Sequence, residues 1–185
     1  DKVKLRCEKI CRTAYDRKVP VMIDAEETWI QETIDELALD MMRAFNKEGI
    51  IVYNTYQLYR HDKLADLKAD HLIAKAQAFI LGVKMVRGAY MEKERKRAEE
   101  MGYPSPIQPT KAASENDYNE SLRYCIEHIQ EIAFVCGTHN EESSRLLAEL
   151  MDQAKIAHDH PHVYFAQLLG MSDNLSFNLS NAGYN

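Results

Sequence analysis

Apolar and polar positions alternate along this chain in two rhythms. Short apolar, β-rich runs that end in polar residues occur at 21–24, 50–53, 82–86, 133–136 and 163–165. Runs of this length bounded by polar residues predict buried strands. Between them apolar residues recur at helical spacing, as in Trp29, Ile30, Ile34, Leu37, Ala38, Met41 and Phe45. Leu64, Leu67, Leu72, Ile73 and Phe79 form a second such stripe, and Tyr118, Leu122, Cys125, Ile126 and Ile129 a third. Residues 2–18 and 176–185 predict helices at either end.

Strand and helix in alternation favour a parallel sheet in the α/β class. The strands begin about 30 residues apart, with one interval near 50, and about 30 is the repeat of a (βα)8 TIM-type barrel. About five βα units fit into residues 1–185, read as a single domain cut from a larger barrel at both ends. A doubly wound open sheet is the rival architecture, but the first strand lacks the GxGxxG turn of its dinucleotide-binding form. The long interval holds a charged helix, residues 92–101, whose run EKERKRAEE reads as an exposed face. The Pro/Gly loop 102–109 that follows reads as a lid or a long surface connection.

Composition narrows the function classes. The 185 residues are 45% hydrophobic, enough for a sizeable core, and carry a formal charge of -6. Charges of both signs are interleaved, which argues against nucleic acid as a partner. Cys7, Cys11, Cys125 and Cys136 lack paired CxxC spacing and read as reduced thiols, mostly buried. No apolar run approaches the roughly 20 residues of a membrane span.

In a parallel βα barrel the chemistry sits where strands run out into loops. VMIDAEE places Asp24 and Glu26 two apart, as an acid/base pair, a divalent-metal site or half of an ion-pair network; either could instead be a first-turn helix acid. VYNTYQ puts Asn54 and Tyr56 on one face and Thr55 and Gln57 on the other. An amide such as Asn54 suits a heterocyclic carbonyl or ring nitrogen, or simply a turn. VKMVRGAYM sets cations beside Gly88, a combination that holds a phosphate or anionic ring, although Lys84 could snorkel and Tyr90 could be core. Thr138, His139 and Asn140 give three consecutive hydrogen-bonding groups after the fourth strand. Gln167 and Leu168 after the fifth can bond the edge and pack on the face of a ring. The HDHPH cluster, His158 to His162, precedes a strand and contains Pro161, so it reads as a solvated loop rather than a zinc site.

In order, IDAEE, NTYQ, VKMVRGAYMEKER with GYPSPI, THN, and YFAQLLGM with SFNLSNAGYN resemble the proline dehydrogenase family over essentially the whole chain. The resemblance implies a distorted (βα)8 barrel that binds FAD, oxidises L-proline to Δ1-pyrroline-5-carboxylate and passes electrons to a quinone. It implies a flavin site at Asn54, Lys84, Val86, Gly88, Ala89, Tyr90, Thr138, His139, Asn140 and Gln167. Asp24 would belong to the polar network behind the substrate, Lys84 would stand beside the reactive ring and Leu168 near the substrate; no metal is implied. Lys84 stands where some members carry Arg, which keeps the charge but not bidentate geometry. The family's substrate lysine, tyrosine and paired arginines have no counterpart here. Hydroxyproline dehydrogenase of the same family, or a barrel fragment without activity, are the alternatives. A bacterial protein would be cytoplasmic or peripheral on the inner membrane, and a eukaryotic one mitochondrial.

Overall fold

Five strands pair in parallel in the order β1-β2-β3-β4-β5, the same as their order along the chain. The computed structural model describes residues 2–185. Its elements run α1 (Lys2–Arg17), β1 (Val21–Ile23), α2 (Thr28–Phe45), β2 (Val52–Gln57), α3 (Lys63–Ala76), β3 (Leu81–Val86) and α4 (Met91–Met101). There follow α5 (Lys111–Glu127), β4 (Ile132–Gly137), α6 (Glu141–Gln153), β5 (Val163–Ala166) and α7 (Asp173–Asn181). A doubly wound sheet reverses its order at a switch point and places helices on both faces. Sequential order combined with right-handed crossovers keeps the helices on one side and curls the sheet toward the other.

Side-chain alternation follows that asymmetry. Val52 and Tyr56, Leu81, Val83 and Met85, and Ile132, Phe134 and Cys136 join the helices in the main core. Tyr53, Ala133 and Val135 point the other way, into a small inner cluster with Ile50 and Ile80. Close approach of β2 to β3 depends on Gly82, where a Cβ would come within 2.1 Å of the Val52 carbonyl oxygen.

Asn46 ties three elements together. It ends α2 and is wholly buried. Its Nδ2 donates to the carbonyls of Val52 (2.8 Å) and Ile80 (3.0 Å), while its Oδ1 accepts from the amides of Ile51 (3.0 Å) and Val52 (2.9 Å). One amide side chain thereby fixes where β2 and β3 begin relative to α2.

The structure departs from the sequence expectations in three places. The second strand runs on to Gln57, past the expected end at Tyr53. α6 occupies a segment to which no helix was assigned, although Leu146, Leu147, Leu150 and Met151 recur at helical spacing. Within the charged run, Glu94 is fully buried rather than exposed: its carboxylate accepts from the Thr28 amide and hydroxyl, both at 2.7 Å. It caps α2 from outside, where the N-cap residue Glu27 makes no side-chain capping bond and pairs with Lys93 instead. The 102–109 loop agrees with the surface-connection reading and is pinned at its end, where the Gln108 amide donates to the Tyr59 carbonyl (2.7 Å) and the His61 amide to that of Pro106 (3.1 Å).

Asn46→Ala strands buried amides and carbonyls by removing the side chain that pairs with them. It should destabilise the protein by about 3–5 kcal/mol in urea unfolding. A loss under about 1 kcal/mol would show that the strand starts are held by other contacts.

Candidate functional site

The C-terminal ends of the strands open on a cavity of about 870 Å³, within the range of cofactor sites. Thr55 and Gln57 of β2, Lys84 and Val86 of β3 and Gly137 of β4 line its floor. The loops after β1, β3, β4 and β5 form its walls.

Lys84 lies beside Thr55 on β2 and Val135 on β4. Its ammonium reaches over the sheet to Asp24 Oδ1 at 2.5 Å, with the lysine side chain 24% and the aspartate 73% exposed. Asp24 and Glu26 do not act as a pair. Glu26 instead accepts the Tyr90 hydroxyl at 2.8 Å, a bond that holds the phenol above its ordinary pKa and keeps it a donor. His139 bonds Ser172 through Nδ1 at 3.1 Å. Asp24 and Glu26 do not belong to any cluster of three metal-ligating atoms among the described residues, so the divalent-metal reading of that pair is not met.

Gly88 has φ +130, and a Cβ there would lie 2.4 Å from the Tyr59 ring, so the turn that carries Val86, Ala89 and Tyr90 to the cavity requires glycine. Arg87 serves the scaffold: it stacks on Tyr118 at 4.4 Å and donates to Thr138 Oγ1 (2.6 Å) and Ser143 Oγ (3.0 Å). Thr138 also accepts the Asn140 amide at 3.0 Å, and Asn140 caps α6 through Ser143 at 2.9 Å. Gln167 is oriented by Ser176 (2.7 Å) and the Thr138 carbonyl (3.3 Å). Leu168, 67% exposed, lies at the rim.

Asn54 is not at the cavity. It is fully buried on the helix side of β2, where its Nδ2 donates to Asp35 of α2 at 2.8 Å. That face continues with Tyr56, which donates to Asp70 at 2.7 Å, and with Lys63, which bonds Asp35 at 2.7 Å. Gln57 takes the cavity-facing place, 3% exposed, and its Oε1 has no partner among the described residues. Period-two alternation joins Tyr53, Thr55 and Gln57, but both faces of β2 carry polar groups, so sequence alone does not say which looks inward.

A family model described as proline dehydrogenase matches residues 2–185. Proline dehydrogenase 1, mitochondrial, of Drosophila melanogaster is 38% identical over 97% of this chain and 28% of that protein. Hydroxyproline dehydrogenase of Xenopus laevis is 36% identical over 97% of this chain and 39% of its own length. The chain thus spans well under half of these curated relatives. Proline utilization A from Bdellovibrio bacteriovorus, inactivated by N-propargylglycine, superposes on 98% of this chain and 19% of its own with a TM-score of 0.91. At 23% identity that likeness is one of fold, and it identifies the curled five-stranded sheet as part of a (βα)8 barrel. With the family model matched along the described length and the strand order that of the barrel, this chain belongs to the proline dehydrogenase family.

Proposed function

We propose that the cavity holds FAD and that the protein oxidises L-proline to Δ1-pyrroline-5-carboxylate, with the electrons passing to a quinone. The observation that carries this reading is the buried, partnerless Gln57 carbonyl close to a cation on the concave face of the sheet. A carbonyl oxygen withdrawn from water costs about 1–3 kcal/mol unless a donor meets it. The edge of a flavin ring offers N–H donors between carbonyls, so the residues present fit that group.

A flavin, when bound, accepts a hydride from the carbon beside a neutral amine. Loss of that hydride and of the amine proton turns the ring C–N single bond of proline into the C=N bond of the product. Lys84 keeps a positive charge at the floor of the cavity, and Asp24 holds its ammonium in place. Such a charge favours whatever negative charge the reaction develops beside it. Gln57 replaces Asn54 in the proposed flavin set, with Val86, Gly88, Ala89, Tyr90, Thr138, His139, Asn140 and Gln167. Leu168 supplies an apolar wall near the substrate, which helps keep the amine desolvated and neutral. No helix among the described residues is long and apolar enough to cross a membrane. The Xenopus relative's name supports hydroxyproline as a second substrate reading, to be decided by the ratio of kcat/KM values for the two amino acids.

Purified protein should carry one equivalent of flavin whose absorbance is bleached by L-proline without oxygen. Protein that holds no flavin and takes up none from added FAD would overturn the reading. Lys84→Met should slow that bleaching by about 100-fold, with Lys84→Arg recovering most of the rate. An unchanged rate in stopped-flow mixing would make Lys84 purely structural. Gln57→Leu should weaken FAD binding roughly 5- to 150-fold while leaving the flavin-free protein no less stable, because it removes an acceptor that only the ligand satisfies. Equal FAD affinity in the variant would place the orphan carbonyl outside the flavin site.

A further inference from the structure

At the end of the sheet away from the cavity, three donors converge between α3, α5 and the start of β4. His71 of α3 is only 2% exposed. Its Nε2 lies 2.7 Å from Glu131 Oε2 and its Nδ1 2.7 Å from the Tyr124 hydroxyl. His128, the C-cap of α5, packs its ring at a tilt against His71 at 4.7 Å and Tyr124 at 4.5 Å. Neither of its ring nitrogens has a hydrogen-bond partner among the described residues. One ligand atom from each of His71, His128 and Glu131 falls within 4.8 Å of the others.

We infer that His71, His128 and Glu131 form a binding site for a divalent transition-metal ion of the zinc type. Two imidazoles and one carboxylate are the donors of that class, whereas calcium and magnesium prefer oxygen alone. The surroundings already orient the ligands. Without a metal, Nε2–H of His71 donates to Glu131; metal binding would shift that proton to Nδ1, which then donates to the Tyr124 oxygen and fixes the ring from its second layer. Lys75 bonds the other Glu131 oxygen at 2.8 Å and so fixes the carboxylate's direction. Tetrahedral bonds of about 2.0–2.2 Å set donors roughly 3.4 Å apart, so His71 Nε2 and Glu131 Oε2 must open from 2.7 Å while separations of up to 4.8 Å in the trio close, shifts within reach of the partly exposed His128 and Glu131 side chains. Lys75, and Lys68 at 5.4 Å from the Tyr124 ring, oppose a dication. Affinity should therefore lie below that of closed structural zinc sites, with water in the fourth position. The site is independent of the flavin reading, and it would cross-link α3 to the segment that leads into β4.

The test is calorimetric titration of chelator-stripped protein with Zn²⁺ alone, with X-ray absorption on the loaded sample. One saturable site with two imidazoles bound to the metal is expected. His128→Ala and Glu131→Gln should each weaken binding at least about 10-fold, and Tyr124→Phe roughly 10- to 100-fold. His158→Ala, in the exposed HDHPH loop, should leave it unchanged. Thermal melts establish that each variant is folded; should one fail, the visible spectrum of the Co²⁺-loaded wild type reads the ligand set directly. Absence of a saturable site, an absorption spectrum without imidazole, survival of binding in the His128→Ala/Glu131→Gln double variant, or its loss in His158→Ala would overturn the proposal.

Discussion

Every crossover in this chain passes on the same side of the sheet, and the rest of the structure depends on that constraint. Right-handed βα units in sequential order put the helices on the convex face, so each strand must turn its apolar positions outward to meet them. The concave face is then released from packing against helices. At its base Tyr53, Ala133 and Val135 close a small apolar plug. Above the plug, the same alternation delivers Thr55, Gln57, Lys84 and Gly137 to one cavity without any special loop.

β2 is where this economy is strained. Its helix side carries Asn54 and Tyr56, polar groups that a buried strand would ordinarily avoid. Their donors are met because α2 and α3 bring acids: Asp35 accepts from Asn54 and Lys63, and Asp70 from Tyr56, while Asn54 Oδ1 has no partner among the described residues. Burial raises the Asp70 carboxyl above its ordinary pKa and holds the Tyr56 phenol well above its own, so their contact is best described as a bond from a neutral phenol. The network fixes the phase of β2, and the phase decides that Gln57 looks into the cavity.

That dependence explains what could be read from the chain and what could not. Strands with one purely apolar face, β3 and β4, were legible together with their outgoing residues, because only one phase buries Val83 and Met85 or Phe134 and Cys136. The choice between Asn54 and Gln57 was not legible, since Asp35 and Asp70 lie 19 and 14 residues from the partners that settle it. Glu94 was hidden for a similar reason. In a helix rich in both charges, one carboxylate looks like its neighbours until Thr28, 66 residues earlier, is found bonded to it. The pairing of His71 with Glu131 spans 60 residues and carries no motif at all.

The ion pair of Lys84 and Asp24 shows how little of the cavity's architecture serves stability. With the aspartate largely exposed, the pair contributes at most about 1 kcal/mol, and salt would screen part of that. An apolar residue at position 84 would extend the inner plug and bury more surface at no desolvation cost. The chain instead sets a flexible cation on the floor and anchors it from β1, two strands away, across the backbone of β2. Anchoring from that distance fixes the direction of the ammonium and leaves its other two protons free. A lysine tied down through one proton, in a cavity whose nearby amide carbonyl lacks a donor, is a set of polar groups whose complement must come from a ligand. A flavin presents both a negative edge and an N–H donor, and for that reason it is the group we propose for this cavity.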